Sequence, residues 1–348
     1  MTGDRNTGPG RHLAQAGLGL LLAAGLLATT AGRAAACDLC AVYTGTLMRE
    51  DRTGPWLAVG QQYSSFGTVQ DDGHRVPNPN DEYVGSSTTQ VVVGYALTPK
   101  VALQASLPLV SREYRRLEEG IATRGDQKGA GDLAFLARVT PFSRNVGDVL
   151  LHADLLAGVK LPTGDSSRLA EEAGEALTVD LGPAMNAALP GGGGRHTAHA
   201  SAVHGHDLAL GTGSLDGVFG LDFHANWKRL FASVALQYAL RGDSAHDYSF
   251  ADDLTWEVGP GVYPLLDPLF TGAVRLVASG EYKREDRQGG VTMDDTAITS
   301  VYLGPGLSFT WKDLLLAQCT VDLPVVQDTS GLQIVPDYRI RAGLAWHF

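Results

Sequence analysis

Apolar and polar residues alternate over long stretches of this chain. From Val149 to Leu161 the odd positions are Val149, Leu151, Ala153, Leu155, Ala157, Val159 and Leu161, while the even ones include His152, Asp154, Gly158 and Lys160. Leu215 to Lys228 sets Leu215, Phe219, Leu221, Phe223 and Trp227 against Asp216, Asp222, His224, Asn226 and Lys228. Phe270 to Lys283 sets Phe270, Val274, Leu276 and Tyr282 against Arg275, Ser279, Glu281 and Lys283. A period of two is the signature of strands with one greasy face. Charges on the opposite face suit a wet lumen far better than a dry sandwich core.

Twelve such segments can be counted, at about 55–67, 87–97, 100–116, 130–141, 147–162, 211–228, 230–242, 253–264, 269–284, 296–311, 314–327 and 336–348. Their connections alternate between short, as at Thr98-Pro99, Arg229 and Lys312-Asp313, and long, at 68–86, 117–129, 163–210, 243–252, 285–295 and 328–335. Short periplasmic turns opposite longer outer loops are the hairpin rule of outer-membrane barrels. The pattern therefore predicts an all-β fold: a single transmembrane up-and-down β-barrel of about 12 antiparallel strands over 55–348, with both strand ends on the periplasmic side. A secreted all-β sandwich is the competing architecture.

The two ends fit that setting. Arg5 and Arg11 precede an uncharged run from Ala16 to Gly32, followed by Arg33-Ala-Ala-Ala36, which reads as a secretory signal peptide over 1–36. Lipidation at Cys37 would usually want Leu at position 34, where Ala stands. The final strand alternates Tyr338, Ile340, Ala342, Leu344, Trp346 and Phe348 with Arg339, Arg341, Gly343, Ala345 and His347. Trp346 and Phe348 resemble the aromatic-ended signal read by the barrel assembly machinery. The rest of the chain holds no apolar run of 18, so membrane insertion has to use a closed barrel.

Charge narrows the partners. Taking the three arginines and one aspartate of residues 1–36 from totals of 27 basic and 38 acidic residues leaves 24 and 37, a net charge of −13. That argues against nucleic acid and leaves outer-membrane lipid, lipopolysaccharide and a small-molecule solute as partners. The inward-facing set is Arg112, Asp132, Arg138, Asp154 and Lys160 in the first half, then Asp216, Asp222, His224 and Lys228, then Arg275, Glu281, Arg339 and Arg341. Both signs occur, so no ion selectivity follows.

Two motifs carry candidate chemistry. His196, His199, His204 and His206 fall within the long 163–210 loop, read as extracellular, and imidazoles suit Zn or Cu. The alternative is a solvated low-complexity loop. Cys37 and Cys40, in a periplasmic segment over 37–54, could close a disulfide in an oxidising compartment or serve as soft metal ligands. Position 41 is Ala, so the c-type haem pattern fails. No cofactor is required. The acid pairs Asp71-Asp72, Asp252-Asp253 and Asp294-Asp295 read as an acidic outer rim, and neither Ser214 nor Ser279 has a His-plus-acid arrangement around it, so no enzyme is expected.

A family resemblance sits at the strand ends. Leu107-Pro-Leu109, Gly129-Ala-Gly-Asp-Leu133, Gly158-Val-Lys-Leu-Pro-Thr-Gly-Asp165 and Leu210-Gly-Thr-Gly-Ser-Leu-Asp216 resemble the outer-membrane transporter family of the meta-pathway of phenol degradation. The resemblance implies a barrel passing small, often aromatic or hydrophobic, compounds, and brings no catalytic residues. A passive channel is thus the expected function. A non-conducting barrel presenting the His loop or the cysteine pair is the alternative.

Overall fold

The computed structural model describes residues 52–118, 120–173 and 201–348. The expected leader, Cys37, Cys40, His196 and His199 lie outside them. Twelve strands build the wall among the described residues: β1 (Gly54–Asp71), β2 (Tyr83–Thr98), β3 (Val101–Glu118), β4 (Ala134–Val146), β5 (Val149–Lys160), β6 (Asp216–Trp227), β7 (Leu230–Leu240), β8 (Asp253–Leu266), β9 (Phe270–Lys283), β10 (Ile298–Trp311), β11 (Leu315–Thr329) and β12 (Leu332–His347). Neighbours pair antiparallel in chain order, and β12 returns to β1 with Trp56 opposite His347 and Asp71 opposite Leu332. Closure removes both sheet edges, which is what lets a backbone rich in polar groups cross hydrocarbon.

The alternation decides which side faces lipid. Leu155, Leu276 and Leu344 are about half exposed on the outer wall, whereas His152, Asp154, Glu281 and Arg339 are buried on the other parity. Cys319 follows the outward parity of β11 and is exposed. At one end the hairpins are tight, and Gly147, Lys228, Lys312 and Asp313 take the left-handed backbone that short hairpin turns demand. By the hairpin rule this is the periplasmic end.

The other end differs from expectation in two places. The connection expected at 328–335 is a two-residue turn, Ser330-Gly331, with Gly331 at φ +59 and strand on either side. The loop expected at 117–129 is instead a strand, Ile121–Ala130, paired with the upper half of β3. At 328–335 Gln333, Ile334 and Val335 are buried in succession, which breaks the period of two; at 117–129 the chain has risen above the apolar band. Arg115, Arg116, Glu118, Arg124, Asp126 and Lys128 make both faces polar there, so the period-two hydrophobic signal disappears although the strand continues.

Wall height is uneven. β1 and β3 have 18 residues, whereas β4, β5, β6 and β7 have 13, 12, 12 and 11. The 161–215 connection starts from this low rim, and its described parts fold into the bore instead of standing outside it, which corrects the reading of 163–210 as a wholly extracellular loop. Ala202, Val203 and Leu208 of the connection pack with Phe66, Val69, Val84, Tyr114 and Ile334 of the opposite wall. Burying these apolar side chains at roughly 25 cal/mol per Å² outweighs leaving the segment in water.

Candidate functional site

The four sequence fragments that carry the family resemblance meet at one place, the root of this plug. Asp132 follows Gly131, and its carboxylate accepts hydrogen bonds from Gly164 N (2.9 Å), Thr212 N (2.8 Å) and Thr212 Oγ1 (3.0 Å). Gly131 N donates to Pro108 O at 2.8 Å. A Cβ on Gly164 would lie 2.8 Å from Gly211 Cα and 3.0 Å from Gly131, so side chains there would force the three backbones apart. Leu210 N and Gly211 N both donate to Asp165 O, pinching the connection shut at its base.

A chain of ion pairs ties the root to the low rim. Lys160 Nζ lies 3.0 Å from Asp132 and 2.8 Å from Asp216, and Arg241 reaches Asp216 at 2.8 Å and also pairs with Asp253. These side chains are almost wholly buried, so each charge depends on its partners for the solvation that water no longer gives. Ser214 Oγ donates to Asp216 at 2.6 Å.

Further in, the plug grips the far wall. Arg112, expected to line the lumen, is buried and donates to Ala209 O of the plug. Ile334 N of β12 donates to Ala202 O at 2.9 Å, and His204 Nε2 lies 3.0 Å from Leu332 O. His206 sits in a single helical turn, Gly205–Leu208, with Nδ1 2.9 Å from Glu172 and Nε2 3.6 Å from Asp207. Burial works against its charge, but the Asp207 and Glu172 carboxylates outweigh that and push its pKa up to about 9. Burial likewise opposes ionisation of Glu172, and the facing His206 holds its pKa below the usual value. An imidazolium between two carboxylates has no lone pair for a metal. Among the described residues no three His, Cys, Asp or Glu side chains are grouped as an ion would require.

Below the plug the bore opens into a cavity of about 1000 Å³. Its waist is a belt of charge. Arg275 and Arg341 pair with Glu257 at 2.9 and 2.7 Å, and Arg339 and Arg341 pair with Asp322 at 3.0 and 2.8 Å. Across the bore on β5 and β6, Asp154 stands opposite Asp222, with His152 3.0 Å from Asp154. An arginine-rich side thus faces an acid-rich side. Towards the periplasmic end the rings of His224, Phe231 and Tyr263 follow one another at 5.7 and 4.7 Å.

The expected lumen residues therefore divide. Asp154, Asp222, His224, Arg275, Arg339 and Arg341 line the cavity, Glu281 is buried on its wall and Arg138 is half-buried on β4. Asp132, Lys160 and Asp216 form the plug root, and Arg112 holds the plug. Lys228 lines the periplasmic mouth of the same cavity: the turn's left-handed backbone (φ +55) sets it just past the strand, largely exposed and 3.6 Å from Asp148. Trp346 and Phe348 lie on the lipid side of the closing strand, both exposed, with Trp311 6.5 Å from Trp346. The acid pairs hold the outer loops: Asp72 accepts from Gly331 N, and Asp252 accepts from Tyr238 Oη. Glu257 and Asp322 were missed, although the inward parity of β8 and β11 marks both. Arg241 was missed too, although it continues the inward parity of the expected 230–242 segment, while Glu172 lies in a connection with no periodicity to point to it.

No family model matches the chain, and no curated protein matches it. Among solved structures it is similar to the COG4313 outer membrane channel from Pseudomonas putida F1, at 13% identity and a TM-score of 0.57 over 88% of this chain and 100% of that one. Weaker likenesses include the CymD monoaromatic hydrocarbon channel (8% identity, TM-score 0.36, 85% of this chain and 89% of that one) and a Pseudomonas aeruginosa FadL homologue (11%, 0.33, 85% and 90%). The fold is that of a closed twelve-stranded outer-membrane barrel, and the bacterial outer membrane is its location.

Proposed function

We propose that this barrel is a passive channel for small solutes whose outer half is stoppered by its own 161–215 connection. The observation that carries the reading is the cavity of about 1000 Å³ running below the plug, lined with charges of both signs and aromatic rings. A wall built only as an anchor has no use for a belt of paired charges around an open space, since bringing charges into the bore costs desolvation. The likeness to a structure named an outer membrane channel supports the reading, as does the resemblance to the meta-pathway transporter family, which adds small aromatic compounds as the solute class. The ring series His224, Phe231 and Tyr263 offers flat apolar walls that suit such compounds.

Planar-bilayer conductance of the purified protein tests this. Because Leu210 N already bonds Asp165 O, replacing 166–209 by two glycines removes most of the plug without opening the wall. The shortened protein is expected to conduct several-fold more than the parent. Two silent proteins would overturn the channel reading and leave a non-conducting barrel.

A further inference from the structure

Part of the cavity wall is paved with small side chains. Asp222 on β6 stands opposite Ala235 on β7, and Ala235 stands opposite Glu257 on β8. One inward position nearer the periplasm, His224 is opposite Ser233 and Ser233 is opposite Gly259. One position further, Phe231 is opposite Gly261, and its ring covers the place where a Cβ on Gly261 would stand. Ser233, Ala235 and Gly259 therefore floor a trough between β6 and the far edge of β8, two strand spacings or about 10 Å across.

The sides of the trough differ in charge. Asp154 and Asp222 face each other across the β5–β6 ladder. Thr140 Oγ1 and His152 hold Asp154, whereas Asp222 makes no hydrogen bond or ion pair among the described residues. Like charges directly opposite destabilise a sheet, so this side favours a cation. On the other side Arg275 leans from β9 over Gly259, where a Cβ would lie 3.4 Å from its Cδ and 3.5 Å from its Nη1. Its Nη1 pairs with Glu257 at 2.9 Å, and a guanidinium has four further N–H groups to give. The rings of His224, Phe231 and Tyr263 close the periplasmic end.

We propose that this trough is a binding subsite for small aromatic zwitterions of the amino-acid type, with the ammonium at Asp222, the carboxylate at Arg275 and the ring against Phe231 and Tyr263. The proposal deepens the channel reading and rests on it. Simpler occupants fit less well. A hydrocarbon would strip water from Asp222 and Arg275 and return no hydrogen bond. An amine without a carboxylate would satisfy Asp222 but bring a second cation beside Arg275. A carboxylate without an amine would satisfy Arg275 but approach the two aspartates. A zwitterion answers both charges and adds no net charge to the bore.

Three probes with the same ring test it: L-phenylalanine, 3-phenylpropionate, which lacks the ammonium, and 2-phenylethylamine, which lacks the carboxylate. Equilibrium dialysis of the labelled compounds against the detergent-folded full chain is expected to give L-phenylalanine about tenfold tighter binding than either analogue. Asp222→Asn should weaken L-phenylalanine and 2-phenylethylamine by about tenfold and shift 3-phenylpropionate by less than about twofold. Arg275→Gln should weaken L-phenylalanine and 3-phenylpropionate and spare 2-phenylethylamine. Opposite patterns in the two variants cannot come from general damage to the wall, and the ranking of the three probes on the parent protein stands even where a variant does not fold. L-phenylalanine bound no tighter than its analogues, or equal losses of all three probes in both variants, overturns the subsite. The parent protein in proteoliposomes separates this from the channel reading: the expected binding pattern without influx of labelled L-phenylalanine supports the subsite and overturns the channel alone.

Discussion

The outer and inner halves of the bore are made from the same wall and end up with opposite interiors. In the outer half, Phe66, Val84, Tyr114 and Ile334 point inward and meet a segment of the chain's own backbone, and its charges are paired off at near-zero exposure. In the inner half the inward parity carries Glu257, Arg275, Asp322 and Arg341 around an open cavity. A buried ion pair with all its partners in place is a rigid fastening. The same pair beside water is a surface that a solute can touch and leave.

That contrast can be broken most strongly at Lys160. Lys160→Met leaves Asp132 and Asp216 buried with one cation fewer, and a loss of about 3–5 kcal/mol is expected in reversible unfolding from lipid vesicles. Arg275→Met, beside the cavity, should cost about 1 kcal/mol, since water can reach Glu257 and Arg341 still pairs with it. Equal losses at the two sites would erase the distinction between the halves. The wall provides a second comparison. Lipid-facing Leu155→Arg should cost about 2–4 kcal/mol at mid-membrane, while Asp154→Asn, on the bore side, should leave folding close to that of the parent.

A pH titration sharpens the comparison at the plug. The pKa of His206 is raised to about 9 from 6.5, so its contribution is complete below 6.5, fades as pH rises and is gone above about 9. Glu172 is lowered from 4.5, so its contribution holds above 4.5 and is lost on acidification. Docking is therefore tightest between about pH 4.5 and 6.5 and loses up to about 3 kcal/mol by pH 9. Amide exchange of residues 204–208, corrected for intrinsic rates, should show that loss, and His206→Gln should flatten the alkaline limb. The smallest effect is expected at Cys319→Ala on the lipid face, within about 0.5 kcal/mol by the same unfolding measurement.

The wall was legible because a membrane imposes its period on the sequence. All twelve strands lie where the alternation places them, and Asp154, Arg275 and Arg341 point inward as the parity requires. The alternation carries no information once the chain leaves hydrocarbon, so the Ile121–Ala130 strand was read as a loop, and the successive buried residues Gln333, Ile334 and Val335 hid the strand that follows the Ser330-Gly331 turn. The plug was illegible for a different reason. Val203 and Leu208 are two apolar residues in a glycine- and histidine-rich stretch, and only their partners across the bore, from Phe66 to Ile334, make them a core. The fragments around Pro108, Gly131, Gly164 and Gly211 were read as four separate strand ends and not as one knot around Asp132.

The plug is continuous with the wall through Asp216 at the head of β6 and is held at its base by Asp165. Its docking is therefore intramolecular, independent of how many copies the membrane holds. A segment tethered so closely faces its socket at an effective concentration in the millimolar range. Any outside molecule that displaces it competes against that concentration and not against an empty site. A solute that fills the same socket should consequently bind with its apparent Kd raised by the docking equilibrium and with the shape of its binding curve unchanged.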